Sequence, residues 1–120
     1  MTNYRKGSRF EYRVRDFFRK LGYTAERKAA SAPYDIIVMK DGRIDFLIDA
    51  KKTSQKDKKA IYISRDDVEK IIKEAKKLCA RPLIIYGFHR TPLYVAFPED
   101  LLKKDVIKVE EGMKLVDYLN

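Results

Sequence analysis

Between two apolar runs, Tyr34 to Met39 and Ile44 to Lys51, stands Asp41-Gly42, and no other stretch restricts the fold as strongly. Both residues tolerate the positive φ that a tight turn between antiparallel strands demands, so the pair predicts a hairpin. A turn of Asp41-Gly42-Arg43 sets Lys40 against Ile44 and, further along the ladder, Asp35 against Asp49. Directly opposed like charges destabilise a sheet, so this register calls for something positive between them. A hard divalent cation meets that need. Side chains alternate along a strand, which puts Lys51 on the face of Asp49 and sends Ile48 and Ala50 to the other. The hairpin thus gathers two carboxylates and one ammonium.

Around it the remaining elements follow from periodicity. From Ser8 to Leu21, the residues Phe10, Val14, Phe17, Phe18 and Leu21 form one apolar stripe on a helix that Gly22 can terminate. Glu11 lies at the edge of that stripe, where pairing with Arg13 or Arg15 is its simplest role. Tyr23 to Lys28 predicts a strand, and Ala29 to Pro33 a loop whose Ser31 stabilises a turn or touches a phosphate. The five lysines between Lys51 and Lys59 make that run too polar for a core. Ala60 to Ser64 alternates as a strand. Ser64-Arg65-Asp66-Asp67 then matches a helix start, with a serine cap and a carboxylate three residues on. Val68, Ile71, Ile72, Ala75 and Leu78 are that helix's stripe, and Cys79 reads as a small hydrophobe near its end. Leu83 to Tyr86 and Leu93 to Phe97 predict two more strands, joined by a loop holding His89 and Arg90. A lone loop histidine is more often polar surface than a base. Val106 to Val109 predicts a short edge strand, and Lys114 to Leu119 a short closing helix. Helices alternating with strands in this order predict a sheet with helices packed on it, of α/β type.

The 120 residues suit one domain, 1–120, with a core of its own. Lys and Arg number 27 against 18 Asp and Glu, a net charge of +9, which favours polyanions. Nucleic acid ranks first among these because phosphate contacts release counterions. A membrane surface ranks lower, since no stretch has the apolar length of a spanning helix and no signal pattern opens the chain. The single cysteine permits no internal disulfide, so a cytoplasmic, reducing setting is expected. One Cys and one His exclude the usual zinc spacings, and no small-molecule cofactor is expected.

Taken together, Glu11, Asp35, Asp49 and Lys51 are the set that reads as a site. Magnesium prefers hard oxygen ligands, binds through one or two carboxylates and keeps positions for water and phosphate. Asp35 and Asp49 fit that requirement. Lys51 can orient or deprotonate an attacking water and stabilise developing charge. Glu11 can hold a metal-bound water or a second cation if its helix packs beside the hairpin. The chemistry implied is metal-assisted phosphodiester hydrolysis; the plain alternative is a salt bridge at the end of a hairpin.

The string Arg5-Lys6-Gly7, Glu11, Gly22-Tyr23, Arg27, Ser31, Asp35, Asp49-Ala50-Lys51, Tyr62 and Asp67 resembles the archaeal Holliday junction resolvases, found also in archaeal viruses. The resemblance runs from about Tyr4 to Leu78. It implies a restriction-endonuclease-like fold, a mixed central β-sheet flanked by helices, and a homodimer that resolves four-way DNA junctions by paired symmetric nicks. The cofactor it implies is Mg2+, with Mn2+ able to substitute. Position by position it implies Glu11, Asp35 and Asp49 as acids of the metal site, Glu11 through water. It further implies the Ala50 backbone carbonyl as an additional ligand and Lys51 as the catalytic lysine. Arg5, Lys6 and Arg27 would contact DNA, with Ser31 in the loop that meets the substrate. By charge, Arg9 and, within the lysine run, Lys52 and Lys56 join them. The chain departs from the family pattern at Asp49, often Glu; at Tyr12, often Arg; at Ala30, often Gly; and at Glu74, aromatic in a relative. Two other readings stand beside this one. The same fold could act on other branched or linear DNA or on RNA, or a basic nucleic-acid-binding module could use its acids only to tie lysines in place. The second predicts steeply salt-dependent binding indifferent to divalent metal.

Overall fold

The computed structural model of the chain describes residues 2–28, 32–52, 60–87, 91–103, 106–109 and 112–120, with side chains from residue 9 onward and excluding that of residue 60. In chain order the elements are α1 (Thr2–Lys20), β1 (Thr24–Arg27), β2 (Ile36–Lys40), β3 (Arg43–Lys52), β4 (Ala60–Tyr62), α2 (Arg65–Leu78), β5 (Arg81–Gly87), β6 (Tyr94–Ala96), α3 (Pro98–Leu101), β7 (Val106–Lys108), β8 (Met113–Lys114) and α4 (Leu115–Leu119). Among the described residues, six strands form one sheet in the order β1-β2-β3-β5-β6-β8. Its β3–β5 pair is parallel and the other pairs are antiparallel. A parallel pair needs a long crossover, which the segment through β4 and α2 supplies. The result is a mixed sheet flanked by helices, as the restriction-endonuclease-like reading requires.

Alternation along the central strands assigns each face its helix. Ile36, Val38, Phe46 and Ile48 pack with Leu83 and Ile85 against Phe10, Val14 and Phe18 of α1. Ile37 and Leu47 face the other way and meet Ile71 and Ala75 of α2. Ile84 and Tyr86 on that second face pack with Val68, Ile61 and Ile107. Each of these fully buried aliphatic or aromatic side chains is worth about 1.5–3 kcal/mol against solvent exposure, so both helices are held mainly by their stripes. Asp49 and Lys51, in phase with Leu47, therefore project toward α2 and away from α1.

The hairpin forms, with a different turn from the one expected. The loop has two residues, since Lys40 pairs with Arg43, and both Asp41 (φ 53°) and Gly42 (φ 77°) are left-handed. That is the primed turn whose twist suits flanking strands. A bulge between Val38 and Met39 then shifts the register by one, so that Val38 pairs with Phe46 and Ile36 with Ile48. The expected register near the site is thereby restored.

Other differences have local causes. Leu21 lies beyond the end of α1 and is exposed, in the turn that Gly22 (φ 96°) completes. Cys79 is an exposed left-handed helix cap (φ 54°) whose N–H meets the carbonyls of Ala75 and Lys76, and not a packed hydrophobe. The predicted edge strand near Val106 exists, but it pairs with β4 in a separate two-stranded sheet that sets Ile61 against Ile107. The four-residue α3 is too short to leave a periodic signal. Among the described residues, no helix is long and apolar enough to cross a membrane.

Candidate active site

Strand pairing between β2 and β3 stops at Ile36 and Ile48, and the site is built where the ladder ends. Asp35, one residue before β2, donates its N–H to the Ile48 carbonyl at 2.8 Å. Its Oδ2 accepts the Ala50 N–H at 2.8 Å. This carboxylate thus replaces the missing strand partner of Ala50. Because N–H and C=O of one strand residue point to the same edge, the Ala50 carbonyl is also turned toward Asp35. Asp49, Lys51, Asp67 and Lys70 line one cleft together with Asp35 and the segment Ala32-Pro33-Tyr34. The two carboxylates lie on the same face.

Lys51 stands between two acids. Its Nζ is 3.6 Å from Asp49 Oδ1 and 3.2 Å from Asp67 Oδ2. Asp67 comes from the first turn of α2, which Ser64 caps by accepting the Asp67 N–H at 3.1 Å. In the sequence Asp67 stands in a helix start and in the string that carries the family resemblance, and neither gives it a role beside Lys51. The Ser64 cap was legible; the docking of that helix end over the strand end was not.

Burial dominates the electrostatics here. Asp49 is 8% exposed, and its carboxyl is pushed from the ordinary 3.8 up to about 7. Loss of water is the largest cause; the charge of Asp35, a hydrogen bond with its carboxyl and the charge of Asp67 add to it, while Lys51 opposes them. Burial likewise disfavours the Lys51 ammonium, but Asp49, Asp67 and Asp35 outweigh it and raise that group above 10.5. In the metal-free protein Lys51 is therefore a cation at neutral pH, suited to stabilising negative charge more than to removing a proton.

A stability consequence follows from Asp49. Its folded-state pKa lies above the unfolded value, so the folded protein holds the extra proton between these two points and loses that advantage as pH rises through about 7. Metal-free protein is expected to lose stability between about pH 4 and pH 7 from this group, and Asp49→Asn to flatten that part of the curve. Lys51 titrates above this window. Urea denaturation in a chelator across the pH range measures it; an unchanged slope in the variant would refute the assignment.

The donor set suits a hard divalent cation. Two adjoining carboxylates and a backbone carbonyl offer hard oxygens and leave room for water and phosphate, as that ion requires. Among the described residues, no three Asp, Glu, His or Cys side chains converge as a closed cage. Two neighbouring carboxylates, one of them buried, are stabilised by a shared cation.

The other expected site residues are placed differently. Glu11 lies on α1 and is bound by Arg27, Nε to Oε1 at 2.8 Å; among the described residues it is not part of the cleft lining. Its partner is Arg27 because β1 packs along α1, whereas Arg13 reaches the Thr91 carbonyl and Arg15 pairs with Asp16. Arg27 also reaches the Tyr12 hydroxyl at 3.0 Å, and its guanidinium is 4.6 Å from the Tyr12 ring centre. Arg9 is exposed on α1, and Lys52 is exposed at the end of β3. Ser31, Lys56, the side chains of Arg5 and Lys6, and the loop with His89 and Arg90 lie outside the described residues.

Comparison with known proteins points in the same direction. The family model described as archaeal Holliday junction resolvase (hjc) matches residues 2–120. The crossover junction endodeoxyribonuclease Hjc of Methanocaldococcus jannaschii is 34% identical over 92 residues, a match spanning 77% of this chain and 66% of that protein, just under two thirds of its length. The solved structure of Archaeoglobus fulgidus Hjc, described as a Holliday junction resolvase from an archaeal hyperthermophile, superposes with a TM-score of 0.79 at 22% identity. That superposition covers 94% of each chain.

Proposed function

We propose that this chain, which belongs to the archaeal Holliday junction resolvase family, is a single-domain, metal-dependent endonuclease that resolves four-way DNA junctions as a homodimer. The observation that carries the reading is the convergence of Asp35, Asp49 and Lys51 in one cleft beside a free strand end. Asp35, Asp49 and the Ala50 carbonyl would hold Mg2+, or Mn2+ in its place. When bound, the ion supplies Lewis-acid polarisation of a phosphoryl oxygen and an acidified water.

The chain's own groups do the rest. Lys51 presents a fixed ammonium to the charge that grows on the scissile phosphate. The Ala50 N–H already orients Asp35 as an oxygen ligand, and Asp49 becomes one on giving up its proton. Glu11, which Arg27 holds on α1 outside the cleft lining, would reach the site only through bridging water, and Arg27 beside it would contact a DNA phosphate. Arg5, Lys6, Arg9, Ser31, Lys52 and Lys56 complete the DNA surface, and the net charge of +9 draws the substrate in. A two-fold dimer would place two such sites symmetrically, matching a symmetric junction. Its DNA substrate sets the protein inside the cell.

The test is competition among a synthetic four-way junction, linear duplex and RNA, with products mapped on every strand. Junction cleavage in two opposed strands with Mg2+, and none after EDTA, is expected. Equal cutting of linear duplex would defeat junction selectivity, and cutting that survives EDTA would defeat the metal chemistry.

A further inference from the structure

We propose that Asp67 is a positioning residue for Lys51, so that one side chain of α2 serves the site on β3. The inference rests on the nuclease reading of the same cleft. A lysine carries a compact charge on a flexible four-carbon stem, so a single anchor leaves the ammonium poorly placed. Among the described residues Lys51 has two, Asp67 at 3.2 Å and Asp49 at 3.6 Å. Asp67 is the nearer, and it draws the ammonium off the carboxylate that has to remain open as a ligand. Without it, Lys51 would collapse onto Asp49 and compete with the cation there.

The backbone that carries the anchor is held in place. The Asp67 backbone N–H is tied to Ser64 Oγ, which leaves the carboxylate unspent by the cap. Val68 and Ile71, on the same helix, are buried against the sheet and fix the height of this turn. Asp66 provides an internal contrast. It carries the same charge in the same turn, yet it points to Lys70 at 3.0 Å, and both partners are largely exposed.

Single-turnover cleavage with saturating Mg2+, together with junction affinity measured without divalent ion, separates positioning from binding. Asp67→Asn is expected to slow cleavage about 10- to 100-fold while changing affinity by no more than about twofold. Asp67→Glu should regain most of the rate, to within about fivefold of wild type, because it restores the charge on a longer stem. Asp66→Asn should cleave within about twofold of wild type.

An Asp67→Asn rate within about threefold of wild type overturns the proposal. So does an equal loss in Asp66→Asn, which would trace the effect to the charge of the helix end, or a loss explained by affinity alone. Wild-type protein that cuts linear duplex but not the junction defeats the junction reading only, and the same variants are then judged on duplex. Wild-type protein that cuts neither substrate overturns both readings.

Discussion

Asp49→Asn is expected to lose junction cleavage about a thousandfold, roughly 4 kcal/mol of transition-state stabilisation, and to gain stability in the metal-free state. The two effects come from one cause. Asp49 is a nearly buried carboxylate beside Asp35, with Lys51 at 3.6 Å and shared with Asp67. Ionising it without a cation is unfavourable, which is why its pKa stands at about 7. The amide has the same shape and no charge, so folding no longer bears that penalty at pH 8 while the oxygen ligand is weakened. Single-turnover cleavage and urea denaturation in EDTA at pH 8 read the two effects. A variant that is inactive but less stable than wild type would point to damaged packing instead of a lost ligand.

Lys51→Ala is expected to reduce cleavage by about 10^2- to 10^4-fold, with junction affinity little changed, because a placed cation acts on charge that develops during the reaction. The competing effect is electrostatic attraction of DNA in the ground state. One charge among 27 basic residues changes that term little, so the loss should appear in the rate and not in binding. The pKa of Asp49 should rise further in this variant, since Lys51 is the group that opposes its burial. The pH dependence of metal-free stability would then extend to higher pH than in wild type. A Lys51→Ala protein that binds the junction poorly and cuts bound junction normally would assign this residue to binding.

Much of this was legible in the chain. Asp41-Gly42 announced the hairpin, and strand alternation put Asp49 and Lys51 on one face, where the structure has them. The Ser64 cap and the apolar stripes of both long helices were equally readable, because each obeys a local rule. What was not readable depended on contacts between distant segments. The bulge at Val38 and Met39 compensates a turn one residue shorter than expected, and nothing in the pattern of apolar residues marks it. Glu11 has a binding partner sixteen residues away on β1, so its helix neighbours were the wrong place to look. Asp67 reaches Lys51 only because α2 docks its first turn over the end of β3. Helix docking is set by the burial of Val68, Ile71 and Ala75 against both central strands, a property of the assembled core.

The central claim is that Asp35 and Asp49 together hold a divalent cation, and titration of Mn2+ into the metal-free protein, followed by calorimetry or by the loss of the free-ion spin-resonance signal, tests it most directly. Saturable binding is expected in wild type, with loss of that binding in Asp35→Asn and in Asp49→Asn and its retention in Asp66→Asn. Mn2+ binding that is unaltered when both carboxylates are replaced together would contradict it.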